Sequence, residues 1–149
     1  MFKVQGHRQI IANLSTLENR VRKKILRKVV RKAQKPMIAD ARQRCPKKTG
    51  QLRKSLGTIV KTYGPNVIAV GGPRGGFRIE IDGKPIDPVH YAHLVEGGHR
   101  ASGFSSVTVP PHPFLGPAFE ANKDKSQRMA MEEISNEIEK EAARKANKR

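Results

Sequence analysis

The chain has 149 residues, a length that fits one domain, and only 5% of them are aromatic, so aliphatic side chains must fill most of any core. Thirty Lys and Arg stand against 13 Asp and Glu, a net charge of +17 that points to polyanions or acidic protein surfaces as partners. No apolar run approaches the ~20 residues that cross a bilayer, the opening segment lacks the long apolar stretch of a secretory signal, and the single cysteine, Cys45, excludes an intrachain disulfide framework and fits a reducing compartment.

The charge is unevenly placed. Residues 1–57 hold 17 basic and 2 acidic groups, whereas residues 58–122 balance at 5 and 5. Within the basic third, Leu14, Leu17, Val21, Ile25, Val29, Ala33, Met37 and Ala41 recur at spacings of three and four, which predicts one long helix over about 15–44. Ser15-Thr16-Leu17-Glu18 reads as a capping box with Ser15 as N-cap, and Cys45-Pro46 stops the helix, because a residue before proline avoids the α region. Pro36 lies inside this span, lacks a backbone donor and crowds the preceding turn, so a kink or break is expected near residues 32–35. Arg20, Lys24, Arg27, Arg31 and Lys35 line one flank of the helix and form a candidate face for a polyanion or an acidic partner, with a merely solvated, solubilising face as the alternative. Like charges at these spacings repel by roughly 0.2–0.5 kcal/mol per pair, so the apolar stripe must be packed for the helix to hold.

A β-rich middle follows over about 55–110. Residues 56–63 and 67–70 are rich in β-branched and apolar side chains around the turn Gly64-Pro65-Asn66 and read as an antiparallel hairpin. Gly71 to Gly76 reads as a flexible loop, Phe77 to Ile81 alternates as a half-buried strand, and Asp82-Gly83 turns the chain toward Lys84–Ile86. Tyr91 to Glu96 fits a short helix ended by Gly97-Gly98, residues 101–106 are small and polar and read as mobile, and Val107 to Val109 fits a short strand. Four prolines between 110 and 117 lead into a last helix over about 117–145, with Pro117 in its first turn and Met131, Ile134, Ile138 and Ala142 as its apolar stripe. Asp124 with Arg128 and Glu141 with Lys145 have favourable i,i+4 spacing. The whole reads as a single α+β domain, residues 1–149, with a long N-terminal helix and a C-terminal helix packed on a small, mainly antiparallel sheet.

The motifs of common catalytic chemistry are missing. Gly71-Gly72-Pro73-Arg74-Gly75-Gly76 lacks the Gly-Lys-Ser/Thr end of a P-loop, and no Gly-x-Ser-x-Gly elbow occurs. His90, His93, His99 and His112 lie close in sequence, but no His-x3-His or Cys-x2-Cys pair accompanies them, so surface or interface histidines are the simpler reading. Cys45 at a helix end reads as a bystander. Glu80, Asp82, Glu132 and Glu133 read as strand and helix surface. No catalytic residue, cofactor or metal is assigned.

Three segments occur as an ordered set: Ala41-Arg42-Gln43-Arg44-Cys45-Pro46 with Thr49-Gly50-Gln51-Leu52-Arg53-Lys54-Ser55-Leu56, then Tyr91-Ala92-His93-Leu94-Val95-Glu96-Gly97-Gly98, then Pro111-His112-Pro113-Phe114-Leu115-Gly116-Pro117-Ala118-Phe119. The set resembles the tail-completion or head–tail joining (minor tail component) family of tailed bacteriophages over about residues 10–125. The resemblance implies a structural virion protein of the neck or tail, assembled in the host cytoplasm. Its implied form is a homo-oligomeric ring, a hexamer, joining the capsid portal to the tail tube. The implied partners are further copies of the chain, other neck and tail proteins (connector, tail terminator or tail tube) and DNA passing through the ring, with no membrane. Tyr91, Leu94, Val95, Glu96, Phe114 and Leu115 are then candidates for the subunit seam, with plain core packing as the alternative for Phe114 and Leu115. A basic nucleic-acid-binding protein is the competing class, motivated by residues 1–57. An enzyme with a site near His90–His112 is the third.

Overall fold

A computed structural model describes residues 7–15, 17–81, 83–100 and 107–147. In chain order they form α1 (His7–Ser15), α2 (Asn19–Ala33), α3 (Lys35–Arg44), α4 (Gln51–Ser55), β1 (Leu56–Tyr63), β2 (Asn66–Pro73), β3 (Ile79–Ile81), β4 (Lys84–Ile86), α5 (Pro88–Gly97), β5 (His99–Arg100), β6 (Thr108–Val109) and α6 (Leu115–Ala146). The fold is α+β and mainly helical. Its strands pair two by two, β1 with β2, β3 with β4 and β5 with β6. The chain divides into two compact units: residues 1–34, 60–69 and 124–149 contribute to the first, and residues 35–59 and 70–123 to the second.

The predicted long helix over 15–44 is two helices, α2 and α3, and the break between them has a local cause. Gln34 separates α2 from α3, within the expected interval, and Pro36 takes the second position of α3, where its missing N–H costs little. The expected capping box does not form. Ser15 ends α1 and its hydroxyl donates back to the Ala12 carbonyl at 2.7 Å, while α2 starts after Glu18 with no side-chain cap. Ser15 thus lies in the last turn of α1, three residues before Glu18, the residue that precedes α2, and so is out of the N-cap position. The upstream segment containing Ile10 and Leu14 is helical itself, and that decided the competition.

In the first unit, Ile25, Val29 and Ala33 of α2 are buried, as the three-four spacing requires. α6, 32 residues and about 48 Å long, starts two residues before the expected Pro117. Its inward residues differ from the predicted stripe. Ser126 and Glu133 are buried, Met131, Ile134 and Ile138 are half-buried, and Ala142 is exposed. Glu133, read from the sequence as helix surface, is 5% exposed. Burying a carboxylate demands a countercharge, and Lys32 supplies it through a hydrogen-bonded ion pair.

The second unit holds the main hydrophobic cluster. Ile38, Ala41 and Cys45 of the α3 segment, Leu52 and Leu56 around α4, Ala92 of α5, and Phe114 and Ala118 at the start of α6 pack together, with Tyr91, Val95 and Leu115 against them. The β3–β4 ribbon pairs Ile79 with Ile86 and Ile81 with Lys84, and the β5–β6 ribbon pairs His99 with Val109. The segment 101–106, expected to be mobile, lies outside the described residues. β2 runs on to Pro73, three residues into the expected glycine loop, because Arg74 N–H donates to the Ser55 carbonyl at 2.9 Å and keeps the chain extended there.

Phe114 is completely enclosed, whereas Phe119, one and a half turns later, is 52% exposed. Phe114→Ala is expected to cost about 3–5 kcal/mol, and Phe119→Ala to stay within about 0.5 kcal/mol of the wild type. Urea denaturation followed by circular dichroism reads both.

Candidate functional site

The basic residues of α2 fall into two groups. Lys28 pairs with Glu137 at 2.6 Å and with Glu133 at 3.7 Å, and Lys32 pairs with Glu133. These contacts lie within the first unit and neutralise one flank of the helix. The Lys32 hydrogen bond, and for Glu137 that of Lys28, holds each carboxyl below the usual carboxylate range, and Glu137 in turn raises the Lys28 ammonium. Arg20, Lys24, Arg27 and Arg31 are exposed, and none of them enters an ion pair among the described residues. At 100° per residue this row lies opposite the buried Ile25, Val29 and Ala33. Lys35, predicted to extend the row, is exposed at the start of α3 and belongs to the second unit.

In the second unit the second and third motifs meet through Glu96. Its Oε2 accepts the N–H groups of Phe114 and Leu115 at 2.9 Å each, and its Oε1 accepts that of Gly116 at 2.9 Å. The next residue is Pro117, which has no N–H. The donors that a helix start leaves open are thereby all accounted for, and the negative charge sits at the positive end of the helix dipole. His112 N–H donates to the Val95 carbonyl at 2.8 Å beside this cap. Burial opposes ionisation of Glu96, but the three backbone donors, with His112 nearby, outweigh it and hold the carboxyl below its usual range.

Glycine is required where the second motif ends. Gly98 has φ 71°, and a Cβ there would lie 2.8 Å from the Val109 carbonyl oxygen and the Pro111 nitrogen. Asp87, one residue before α5, accepts the Gly76 N–H at 2.6 Å and caps Val89 at 3.4 Å. The first motif joins through the backbone: His112 Nε2 lies 3.2 Å from the Arg44 carbonyl, and Arg42 donates to the Leu56 carbonyl at 2.6 Å.

The predicted seam residues are therefore of several kinds. Phe114 belongs to the core. Tyr91, Val95 and Leu115 are half-buried against that core, Leu94 is half-buried, and Glu96 is engaged by α6. Two determinants were missed: the cap by Glu96, whose partners lie 18 to 20 residues away, and the Asp87 cap, which Asp87-Pro88 before an apolar run does signal locally.

Cys45 is buried, and desolvation raises its thiol away from the thiolate that nucleophilic chemistry needs. Among the described residues no group of His, Cys, Asp and Glu is arranged to hold a metal ion, and no helix is long and apolar enough to cross a membrane.

Three carboxyls, Glu96, Glu133 and Glu137, titrate lower in the folded chain than in the unfolded chain. Their contribution is complete above the unfolded carboxylate pKa of about 4.3 and is lost as pH falls through the lower folded values. Glu96→Ala is expected to cost about 2 kcal/mol near neutral pH by opening the α6 cap, and Glu96→Gln to lessen the loss of stability in acid. Urea midpoints measured from neutral to acid pH check both.

Neither a curated protein nor a solved structure matches the chain. A protein-family model described as "Bacteriophage HK97-gp10, putative tail-component" matches residues 8–98. That span takes in α1 to α5, including the basic helix and the first two motifs. On this match, which covers more than half of its length, the chain belongs to the HK97 gp10-like family of phage tail components.

Proposed function

We propose that the chain is a ring-forming tail-completion or head–tail connector component that joins the capsid portal to the tail tube. Membership in a family of phage tail components is the observation that carries this reading, and it implies a structural role in the virion with other tail proteins as neighbours. The ring of six copies and the position in the neck rest on the resemblance of the three motifs, which extends through Phe119, past the family match.

The surface supports an assembly role. In the second unit Ile59 on β1 and Val70 on β2 are 42% and 53% exposed, and Val89 and Phe119 are exposed as well. In the first unit Tyr63 and Ile68 are exposed on the same two strands. Single exposed apolar residues are ordinary, but each unit exposes such a residue on both β1 and β2, and exposed apolar strand residues suit contact with neighbouring subunits. A ring also multiplies the charge of +17, which acidic neighbours, salt or DNA in the lumen must offset.

Purified protein is expected to form discrete rings under negative stain, alone or mixed with the neck and tail proteins of its phage. The double variant Ile59→Asp with Val70→Asp should keep its circular dichroism spectrum and fail to form rings. Light scattering that finds wild-type monomers in every mixture would overturn the proposal.

A further inference from the structure

α6 supplies carboxylates to Lys28 and Lys32 and none to the row on the other side of those lysines. Arg20, Lys24, Arg27 and Arg31 follow one another at spacings of four, three and four, so each repels its neighbours with no acidic group between them. The row extends about 16 Å along the helix axis. In duplex DNA successive phosphates of one strand are about 3.4 Å apart along the axis, so the row can run beside on the order of five of them. Three of its four members are arginine, whose planar guanidinium donates two parallel hydrogen bonds to a phosphate.

The composition of this face favours nucleic acid over an acidic protein. Protein interfaces are built on a desolvated apolar centre from which charges are depleted. None of the exposed large hydrophobic residues of the described chain lies on α2. Nucleic-acid interfaces are more polar and far more positive. Proteins that hold single strands add to their basic groove aromatic rings on which successive bases stack, and α2 carries no aromatic residue.

From these observations we propose that the Arg20, Lys24, Arg27 and Arg31 row binds the phosphate backbone of double-stranded nucleic acid without reading its sequence. The binding is a property of α2 itself and does not depend on ring formation.

Fluorescence anisotropy with a labelled mixed-sequence DNA duplex tests the proposal. Between about 50 and 200 mM salt, the slope of log K against log salt should include about −0.9 for each phosphate the row contacts. Replacing all four residues by Gln should make the slope shallower by about 3 to 4 units and weaken low-salt binding more than tenfold. A control variant removes the same charge elsewhere, with Lys47, Lys48, Lys54 and Lys61, all exposed, changed to Gln. It should keep the wild-type slope to within about one unit. Single Arg27→Gln and Arg31→Gln variants should each reduce the slope by about 0.9, which keeps the test decisive if the fourfold variant folds poorly. Absence of wild-type binding at low salt, equal weakening in the control variant, or tighter binding of a single strand than of the duplex would overturn the proposal. Negative staining of the same variants separates the two readings: rings that persist while DNA binding is lost count against neither, and rings absent from the wild type leave the binding result standing.

Discussion

The start of α6 is where the second unit is tied together. A helix of 32 residues that begins Leu-Gly-Pro carries no Ser, Thr, Asp or Asn to close its own first turn. Its free N–H groups and positive dipole end need an acceptor, and Glu96 at the end of α5 provides one carboxylate for three donors. Phe114 is then fixed at the position where its ring fills the cluster formed by Ile38, Ala41, Cys45, Leu52, Leu56, Ala92 and Ala118. Gly98 and Pro111 meet too closely to admit a side chain. Polar cap and apolar core are thus one arrangement, in which the ion orients the helix and the ring fills the space.

This arrangement explains why the three motifs occur as a set. Each supplies one part of the same cluster: the α3–α4 segment, α5, and the start of α6. Much of what resembles a family signature is therefore the packing of the second unit. The surface left over carries apolar residues on strands and helices and basic residues on α2, which is the division of labour of a component that docks against neighbours. The buried, desolvated thiol of Cys45 and the engaged carboxylate of Glu96 have structural duties.

In the first unit, electrostatics takes over part of the work that an apolar stripe performs elsewhere. α6 turns Glu133 inward and presents Glu137 beside it, and the lysines of α2 answer them. The two helices need each other, because α2 alone is a run of like charges and Glu133 alone would be a buried anion. The same pairing sorts the basic residues. It neutralises Lys28 and Lys32 and leaves the exposed arginine-rich row without an ion pair among the described residues.

Local periodicity was enough to locate most elements: the β1–β2 and β3–β4 hairpins, the break before Pro36, α5 and α6 all follow from spacing, turn residues and proline chemistry, which act between neighbours in the chain. The ordered motifs also pointed to a family of phage tail components. Competition and distance defeated the rest. Ser15 reads as a cap because its own four residues allow it, but the upstream helix takes Ser15 as its last residue and α2 starts only after Glu18. Glu133 looked like helix surface because its countercharge sits on α2, some hundred residues earlier. Glu96 and Phe114 are both seam candidates in the sequence, Phe114 with core packing as its other reading, and the folded chain assigns the first to the cap and the second to the core. Charge and hydropathy along the sequence determine what each residue can do, whereas burial and pairing depend on which distant segment arrives beside it, and that is decided by packing.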